Sequence, residues 1–357
     1  MGRTMNMAWV HVIGGGVAGL SLARELAKTS RLPGQVILSD PRTDYTNDRT
    51  FGFWLTPDER ALLKPEHSVS AWSISTQTEQ VIQTGMHYQY GIRSAGSVYQ
   101  EALDQIDAHP QITRLEATVD TRPAALHVYD SRPPTAEHFK ITQAFAGTEI
   151  RCAQPHGLET IGLMDALEVI DNGVQFRYVL PLDAERILVE HTVFTSGLGD
   201  IEALDQRNAR WIDTHWPHAQ ITRHESARIP MGYRHPMTHL GHPIGARGGM
   251  TRPATGYGYR TMQYWAANEA KRLITRNQAQ PYQSSSLHQW MDHLFLDLIR
   301  DRPDVIPSIF MAMGRRLRGD QLAQFMMRER LIDALRVIRV SPKKPFSLAC
   351  IGKPQWI

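Results

Sequence analysis

The chain begins with a short apolar strand that leads directly into a glycine-rich turn and an amphipathic helix. Residues 9–13 are mostly apolar. The three glycines of a G-x-G-x-x-G pattern follow them, namely Gly14, Gly16 and Gly19. A second apolar run, over 36–38, ends in Asp40, which lies 21 residues after the last of these glycines. This order predicts a strand–helix–strand unit at the start of a parallel sheet.

Beyond this unit, polar and apolar residues alternate in the manner of antiparallel strands. The alternation over 69–93 predicts half-exposed strands, after a polar loop over 41–54. A helix is predicted over 94–107, and Ser94 is suited to be its N-cap. The apolar run 125–130 predicts a strand that returns to the parallel sheet.

The second half of the chain is predicted to form strands first and then helices. The predicted strands cover 141–145, 148–153, 173–180 and 186–194. The predicted helices cover 201–218, 259–275 and 285–340, and the glycine-rich segment 241–258 precedes the second of them.

These elements predict an α/β fold in which a nucleotide-binding sheet is interrupted by an antiparallel sheet. The expected units are a Rossmann-like FAD-binding domain (1–60, 94–135 and 240–280), an antiparallel-sheet substrate domain (61–93 and 136–239) and a C-terminal helical region (281–357). The binding domain of a simple NAD dehydrogenase is more often contiguous, so this interleaved layout favours FAD over NAD.

Composition and charge narrow the class of protein. The 357 residues are 42% hydrophobic and 21% charged, which is enough to build a packed core and excludes a disordered chain. The net charge of +3 gives no indication of nucleic-acid binding. Cys152 and Cys350 are the only cysteines, which argues against a zinc cluster or a disulfide framework, and we expect no metal site. Without an apolar signal segment or spanning run, we expect a cytoplasmic protein, dissolved or on a membrane surface.

The glycines of the first turn each have a mechanical role if the unit binds a dinucleotide. Gly14 permits the tight turn, Gly16 lets backbone N–H groups approach a pyrophosphate, and Gly19 lets the helix pack closely on its strand. Asp40 would accept hydrogen bonds from ribose hydroxyls. The alternative is a glycine-rich turn in another kind of α/β protein.

Several segments together resemble one enzyme family. They are NDRTFGFW at 47–54, DSRP at 130–133, FRYVLPL at 176–182, LVEHTVF at 188–194, IPM at 229–231, GGMTRPATGY at 248–257 and PKKPF at 342–346. The ordered set is similar to the motifs of bacterial lycopene cyclases and extends over nearly the whole chain. The chain departs from the family pattern at Phe51, Gly52 and His191.

The resemblance implies that the linear end group of lycopene is closed to a β-ionone ring by acid–base chemistry assisted by reduced FAD, with no net redox change. It also implies NAD(P)H as the reductant. Glu190, on an apolar strand, is then the proton donor, because a dry pocket raises the pKa of a carboxylic acid. The alternatives are that Glu190 faces solvent or pairs with Arg177 or Arg186. His191 is expected to be a structural or surface histidine and not a proton shuttle, and Asp165 either orients the site or belongs to a turn.

The resemblance also indicates residues that bind the cofactor. Arg49 and Thr50 either contact the flavin or hold Asp130 in place, unless the loop is simply solvated. A second loop would bring backbone N–H groups to the flavin, through Gly248, Gly249 and Gly256; an ordinary turn before a helix is the alternative. Six aromatic residues would line a polyene tunnel or pack in the core, namely Trp54, Trp72, Tyr88, Tyr90, Phe176 and Tyr178.

A basic amphipathic segment near the C-terminus suggests contact with a membrane. Residues 315–344 contain nine Lys or Arg against three Asp or Glu, with apolar residues at helical spacing. Such a helix suits an anionic membrane surface, where a carotenoid substrate resides, or it packs on the core with a solvated basic face.

Rival functions are a cyclase for another polyene or terpenoid, a flavin monooxygenase or dehydrogenase of the same fold, and a non-catalytic flavin- or lipid-binding protein.

Overall fold

The computed structural model describes residues 7–134, 139–232, 240–327 and 330–342. The strands are β1 Ala8–Ile13, β2 Val36–Ser39, β3 Thr50–Leu55, β4 His67–Val69, β5 Ala71–Ser75, β6 Gln80–Thr84, β7 Gln89–Ser94, β8 Ile112–Leu115, β9 Ala125–Asp130, β10 Ile141–Arg151, β11 Thr160–Ile170, β12 Gly173–Pro181, β13 Arg186–Thr195, β14 Gln220–Met231 and β15 His242–Pro243. The α-helices are α1 Val17–Ala27, α2 Arg60–Leu63, α3 Ala95–Asp107, α4 Ile201–His215, α5 Tyr259–Arg276, α6 Ser286–Asp301, α7 Ile306–Arg316, α8 Gly319–Met327 and α9 Leu331–Val340.

A five-stranded parallel sheet is built around the first strand of the chain. Its order is β15-β9-β1-β2-β8, and every neighbouring pair is parallel. β1 is buried along its whole length and shares a core with α1, α3 and α5. A central parallel strand needs such a continuous apolar run. The α/β fold and the return of residues 125–130 to this sheet are confirmed.

A seven-stranded sheet forms the second layer, in the order β14-β10-β13-β12-β11-β5-β6. Its pairs are antiparallel except β11 with β5. Alternate residues of β13 face opposite sides: Val189 packs with Ile212 of α4, whereas Leu188 packs with Leu296 and other residues of the C-terminal helices. Glu190 has the parity of Leu188 and therefore lies on the side away from α4.

A three-stranded antiparallel sheet, in the order β3-β7-β4, completes the architecture. The expected helix after it is confirmed as α3, and the Ser94 hydroxyl accepts a hydrogen bond from the Ser97 amide at 3.3 Å.

Among the described residues, no helix combines the length and apolar character needed to cross a bilayer. Cys152 is buried as a free thiol, and Cys350 lies outside the described residues.

Three of the predictions were wrong in the extent of an element and one was wrong in its burial. The loop over 41–54 contains the first residues of β3. The segments 141–145 and 148–153 form the single strand β10, because Gly147 stays paired with both neighbouring strands. The helical segment 285–340 is divided into α6 to α9 by 3₁₀ and extended residues, and the first break contains Pro303. Of the strands over 69–93, β5 is almost wholly buried and not half-exposed.

Two strands of the seven-stranded sheet, β11 and β14, were not predicted. β11 contains Ala166 with φ of 50° and irregular register around it, so the alternation of polar and apolar residues is interrupted. β14 lies at the edge of its sheet and is exposed over much of its length, so polar residues occur on both of its faces.

Candidate functional site

Glu190 is a buried carboxyl group on a central strand of the seven-stranded sheet. It has only 9% exposure, and the Thr192 hydroxyl donates a 2.9 Å hydrogen bond to its Oε1. The two arginines that could have paired with it have other partners. Arg177 binds Asp165 at 2.7 Å and Arg186 binds Asp183 at 2.7 Å. Neither the solvent-facing alternative nor the ion-pair alternative is therefore found.

A second buried carboxyl group, which the sequence analysis missed, faces the same side of the sheet. Glu225 on β14 and Glu190 on β13 both pair with Gly147 of β10, one from each side. A Cβ atom added to Gly147 would lie 2.9 Å from the Glu225 Cγ and 3.6 Å from the Glu190 Cγ. The missing side chain of Gly147 thus makes room for two glutamates beside each other.

Glu225 is held by donors from two sheets. Arg223 forms an ion pair with its Oε2, and the Thr50 hydroxyl donates to the same oxygen at 3.0 Å. Arg223 also donates to Thr50 at 2.8 Å and to Glu149 at 3.0 Å. Thr50 therefore lies at the junction between the three-stranded sheet and the carboxyl pair. Thr50 was singled out from the sequence, whereas the i, i+2 spacing of Arg223 and Glu225 was the signal that could have identified the other two.

The electrostatics of the two carboxyl groups differ. Burial raises the pKa of Glu190 to about 8, and the negative charge of Glu225 adds to this rise. Burial also raises the pKa of Glu225, but the Arg223 guanidinium and the Thr50 hydroxyl oppose that rise. Burial therefore favours the protonated form of Glu190, whereas the Arg223 guanidinium favours the ionised form of Glu225.

Three tyrosines adjoin the glutamates. Tyr178 lies directly opposite Glu190 in the pairing of β12 with β13. Tyr178 is hydrogen-bonded to Tyr257, whose hydroxyl lies 3.2 Å from that of Tyr90. Burial raises the pKa of all three phenols, so they remain neutral hydrogen-bond donors at any physiological pH.

An apolar cavity of about 370 Å³ lies between this sheet and the C-terminal helices. Its wall includes Tyr178, Phe194, Tyr257, Trp290, Phe295 and Met326. A second cavity, of about 270 Å³, shares Tyr257 and is lined by the 249–261 segment and by Trp54. Of the six aromatics singled out from the sequence, Trp54 and Tyr178 line these cavities, while Trp72, Tyr88, Tyr90 and Phe176 are buried in the core.

The first glycine turn forms a cradle that side chains would fill. Gly14 has φ of +93°, and Gly16 is the N-cap of α1. A Cβ on Gly19 would lie 2.1 Å from the Gly14 carbonyl oxygen. Asp40 accepts from the Gly15 amide, and Arg42 donates to the Gly15 carbonyl at 2.6 Å. The N-terminus of α1, with its unpaired N–H groups, is suited to bind a phosphate.

The second glycine loop packs against the same helix end. A Cβ on Gly245 would lie 3.2 Å from Ala18 of α1, so the loop approaches the first turn. A Cβ on Gly248 would lie 2.4 Å from the Pro243 carbonyl oxygen, so only glycine fits there. Gly249 and Gly256 have φ of +72° and +70°, a left-handed conformation that favours glycine.

Asp130 and Arg49 do not meet. Asp130 is fully buried, and Arg132 binds its carboxylate at 2.8 and 2.9 Å. Arg49 pairs instead with Asp48, with over half of its side chain exposed. The alternative in which Arg49 or Thr50 holds Asp130 in place is therefore not found, because Arg49 binds Asp48 and Thr50 binds Glu225. Asp165, another candidate, is bound by Arg177 and by the Ser75 hydroxyl.

His191 lies on the opposite face of β13 from Glu190. It is buried and contacts the Asn208 side chain of α4 at 3.1 Å, and burial lowers its pKa to about 4. It is therefore a neutral, structural histidine, as expected.

The chain is similar in sequence to a known enzyme family over most of its length. A sequence model of the family described as "Lycopene cyclase protein" matches residues 10–331. A lycopene beta-cyclase of Pseudescherichia vulneris is 35% identical over 140 residues, which are 36% of either chain. One of Pantoea ananas is 32% identical over 130 residues, 32% of either chain. The alignments thus span about a third of the length of these relatives.

Solved structures share the fold at low identity. A geranylgeranyl bacteriochlorophyll reductase-like protein of Thermoplasma acidophilum has a TM-score of 0.59 and 13% identity, over 96% of this chain and 98% of that chain. A flavin-dependent halogenase of Xanthomonas campestris has a TM-score of 0.54 and 11% identity, over 96% and 83%. Halogenase PltM in complex with phloroglucinol and FAD has a TM-score of 0.50 and 12% identity, over 90% and 79%.

Proposed function

Because the chain belongs to the lycopene cyclase family, we propose that it closes the linear end group of lycopene to a β-ionone ring. The observation that carries the proposal is the position of Glu190, a buried carboxyl group beside the tyrosines of an apolar cavity, where burial raises its pKa to about 8. A polyene end group needs an apolar site, and its alkene needs a proton donor that has little competition from water.

In this proposal Glu190 gives its proton to the terminal alkene of the end group. The next double bond attacks the resulting cation, the ring closes, and a proton leaves from the adjacent carbon. No electrons are gained or lost overall, so the reaction is an isomerisation. The carboxylate left on Glu190 is a fixed negative charge near the cation, and the faces of Tyr178 and Tyr257 add further stabilisation. Glu190 is not itself among the residues that line the cavity; it lies beside the cavity-wall residue Tyr178, its neighbour across the two paired strands.

The residues around α1 fit a dinucleotide such as FAD. Gly14, Gly16 and Gly19 would hold its pyrophosphate and Asp40 its ribose, while the loop with Gly248, Gly249 and Gly256 would face the ring. When bound and reduced, FAD supplies negative charge near the developing cation, which accounts for a redox cofactor in a reaction without net redox change. NAD(P)H is the proposed source of the electrons.

Membrane association is part of the proposal. The apolar residues Leu331, Ile332, Leu335 and Ile338 of α9 are each 45–62% exposed. Arg330 and Arg339 flank them as exposed cations. Ile338 also belongs to the wall of the larger cavity, together with Trp290 of α6. An exposed apolar stripe with flanking cations suits an anionic membrane surface, from which a carotenoid would enter this cavity. Lys343 and Lys344 of the basic segment lie outside the described residues.

The test is anaerobic incubation of the purified protein with chemically reduced FAD and lycopene, followed by chromatography and mass measurement of the products. A cyclase yields a product of unchanged mass and consumes no stoichiometric reductant. A monooxygenase or dehydrogenase changes the product mass and consumes NAD(P)H with each turnover. Recovery of unaltered lycopene bound to the protein would instead identify a binding protein. Conversion of another polyene, with lycopene left unaltered, would show that the other polyene is the substrate.

A further inference from the structure

We propose that Glu190 and Glu225 act as one unit that holds a single proton, with the proton on Glu190 and the charge on Glu225. Glu225 is then a positioning residue that acts through Glu190. The role in ring closure rests on the proposed function, whereas the shared proton is a property of the protein alone.

The first argument is geometric. The two side chains flank Gly147 on one face of the sheet, where residue 147 has no side chain of its own and Leu188 Cδ1 is the other atom that approaches. Glu225 is 6% exposed and Glu190 is 9% exposed. Two carboxylates this close and this dry repel each other strongly, so one of them retains a proton.

The second argument is the unequal distribution of partners. The groups that face the pair are Arg223 with its second partner Glu149, Arg49, the hydroxyls of Thr50 and Thr192, and the phenols of Tyr90, Tyr178 and Tyr257. Glu225 receives the Arg223 ion pair and the Thr50 hydroxyl. Glu190 receives the neutral Thr192 hydroxyl. Donors that favour the ionised form are therefore concentrated on Glu225.

The consequence for ring closure follows from the charge balance. When Glu190 gives its proton to the alkene, two carboxylates face each other, and the carbocation lies beside them. This repulsion makes the Glu190 carboxylate a strong base for the proton that leaves the ring. The same oxygen pair thus supplies one proton and recovers one, and the protein ends the cycle in its starting state.

The shared proton can be measured without substrate or cofactor. Infrared spectra of protein labelled with ¹³C-glutamate, recorded across a pH series, report the carboxylic-acid C=O band of protonated glutamates. We expect one protonated glutamate at pH 7 that titrates near pH 8. Glu190→Gln should remove that band. Glu225→Gln should keep it but lower its midpoint by about one pH unit or more.

Matched variants separate charge from packing. Glu149→Gln removes the other carboxylate bound to Arg223 and should leave the midpoint unchanged. Glu225→Asp keeps the charge and should retain the high midpoint. If Glu225→Gln does not fold, Arg223→Gln tests the same point, since Glu225 should then also be protonated at pH 7 and two bands should appear.

Two results would overturn the inference: an unchanged midpoint in Glu225→Gln, or a protonated glutamate that survives at pH 7 in Glu190→Gln. Failure of the proposed function has a different signature. The bands would then behave as expected, while reduced enzyme leaves lycopene unconverted.

Discussion

Tyr178 lies directly opposite Glu190 across two paired strands, and the Tyr178 ring forms part of the wall of the apolar cavity. The buried carboxyl group of Glu190 therefore lies beside a residue that lines the cavity in which an apolar substrate would bind. Residues opposite each other on one face of an antiparallel pair have Cβ atoms about 5 Å apart. Tyr178→Phe keeps the ring and removes the hydroxyl, so it separates cation stabilisation by the aromatic face from hydrogen bonding to Tyr257.

Replacing the proposed acid should abolish turnover without disturbing the fold. Glu190→Gln keeps the size and polarity of the side chain but removes the transferable proton, so kcat should fall by about a hundredfold or more. Bound FAD and the circular dichroism spectrum should be unchanged. Glu185→Gln, a carboxylate about half exposed on the surface, is the control and should retain full activity. Full activity in Glu190→Gln would remove the acid assignment.

The activity should depend on pH through the protonated form of Glu190. Since burial raises its pKa to about 8, the acid is competent below that pH and turnover should decline as pH rises through 8. An activity profile over pH 5–10, measured with saturating substrate, checks this expectation. A profile that stays flat to pH 10 would contradict it.

Stability should depend on pH in the same window. The unfolded chain loses the Glu190 proton near the ordinary value of 4.5, whereas the folded chain keeps it until about 8. The folded state therefore binds more protons between these values, and the free energy of unfolding should fall as pH rises across them. Urea titrations at several pH values measure the slope, and Glu190→Gln should reduce it.

A side chain at Gly147 should damage the carboxyl pair. In Gly147→Ala the new methyl group would lie 2.9 Å from the Glu225 Cγ and 3.3 Å from the Leu188 Cδ1, which requires both to move. We expect a loss of about 1–3 kcal/mol of unfolding free energy and reduced activity. Gly314→Ala, where the nearest atom is 3.5 Å away, is the control and should fold normally. Equal stability of the two variants would show that the sheet has more room than the structure indicates.

The first glycine turn should tolerate no side chain at its third glycine. Gly19→Ala would place a methyl group 2.1 Å from the Gly14 carbonyl oxygen, which displaces the turn from α1. We expect FAD affinity to fall about tenfold or more, measured by fluorescence quenching. Gly197→Ala, whose Cβ would meet only the Thr195 hydroxyl at 3.7 Å, should bind FAD normally. Unaltered affinity in Gly19→Ala would exclude this turn as the cofactor site.

The exposed stripe of α9 should determine binding to lipid vesicles. Replacing Leu335 and Ile338 by Asp should weaken sedimentation with anionic vesicles by about tenfold or more, because apolar area is lost and negative charge is added. Ile221→Asp, at an equally exposed apolar residue of the sheet edge, should have little effect. If both variants bind as the wild type does, the membrane surface lies elsewhere.

Local patterns in the sequence determined much of the fold and part of the site. The apolar run of β1, the spacing of Gly14 to Gly19 and the N-cap Ser94 each act within a few residues, so they are visible along the chain. The family motifs likewise singled out Glu190. They did not reveal whether Glu190 was buried, since a strand alternates sides and the sequence does not show which side is dry.

The tertiary structure decided what surrounds that acid. Glu225 lies 35 residues from Glu190 along the chain, yet pairing of β10 with β13 and β14 brings the two together. Thr50 lies 140 residues from Glu190, and β3 of the three-stranded sheet places it within hydrogen-bond distance of Glu225. Register between distant strands depends on packing over the whole sheet, and a shift by one residue would turn Glu225 to the other face. The sequence alone therefore singled out Glu190 as the candidate proton donor, whereas only the assembled sheet determined which groups surround it.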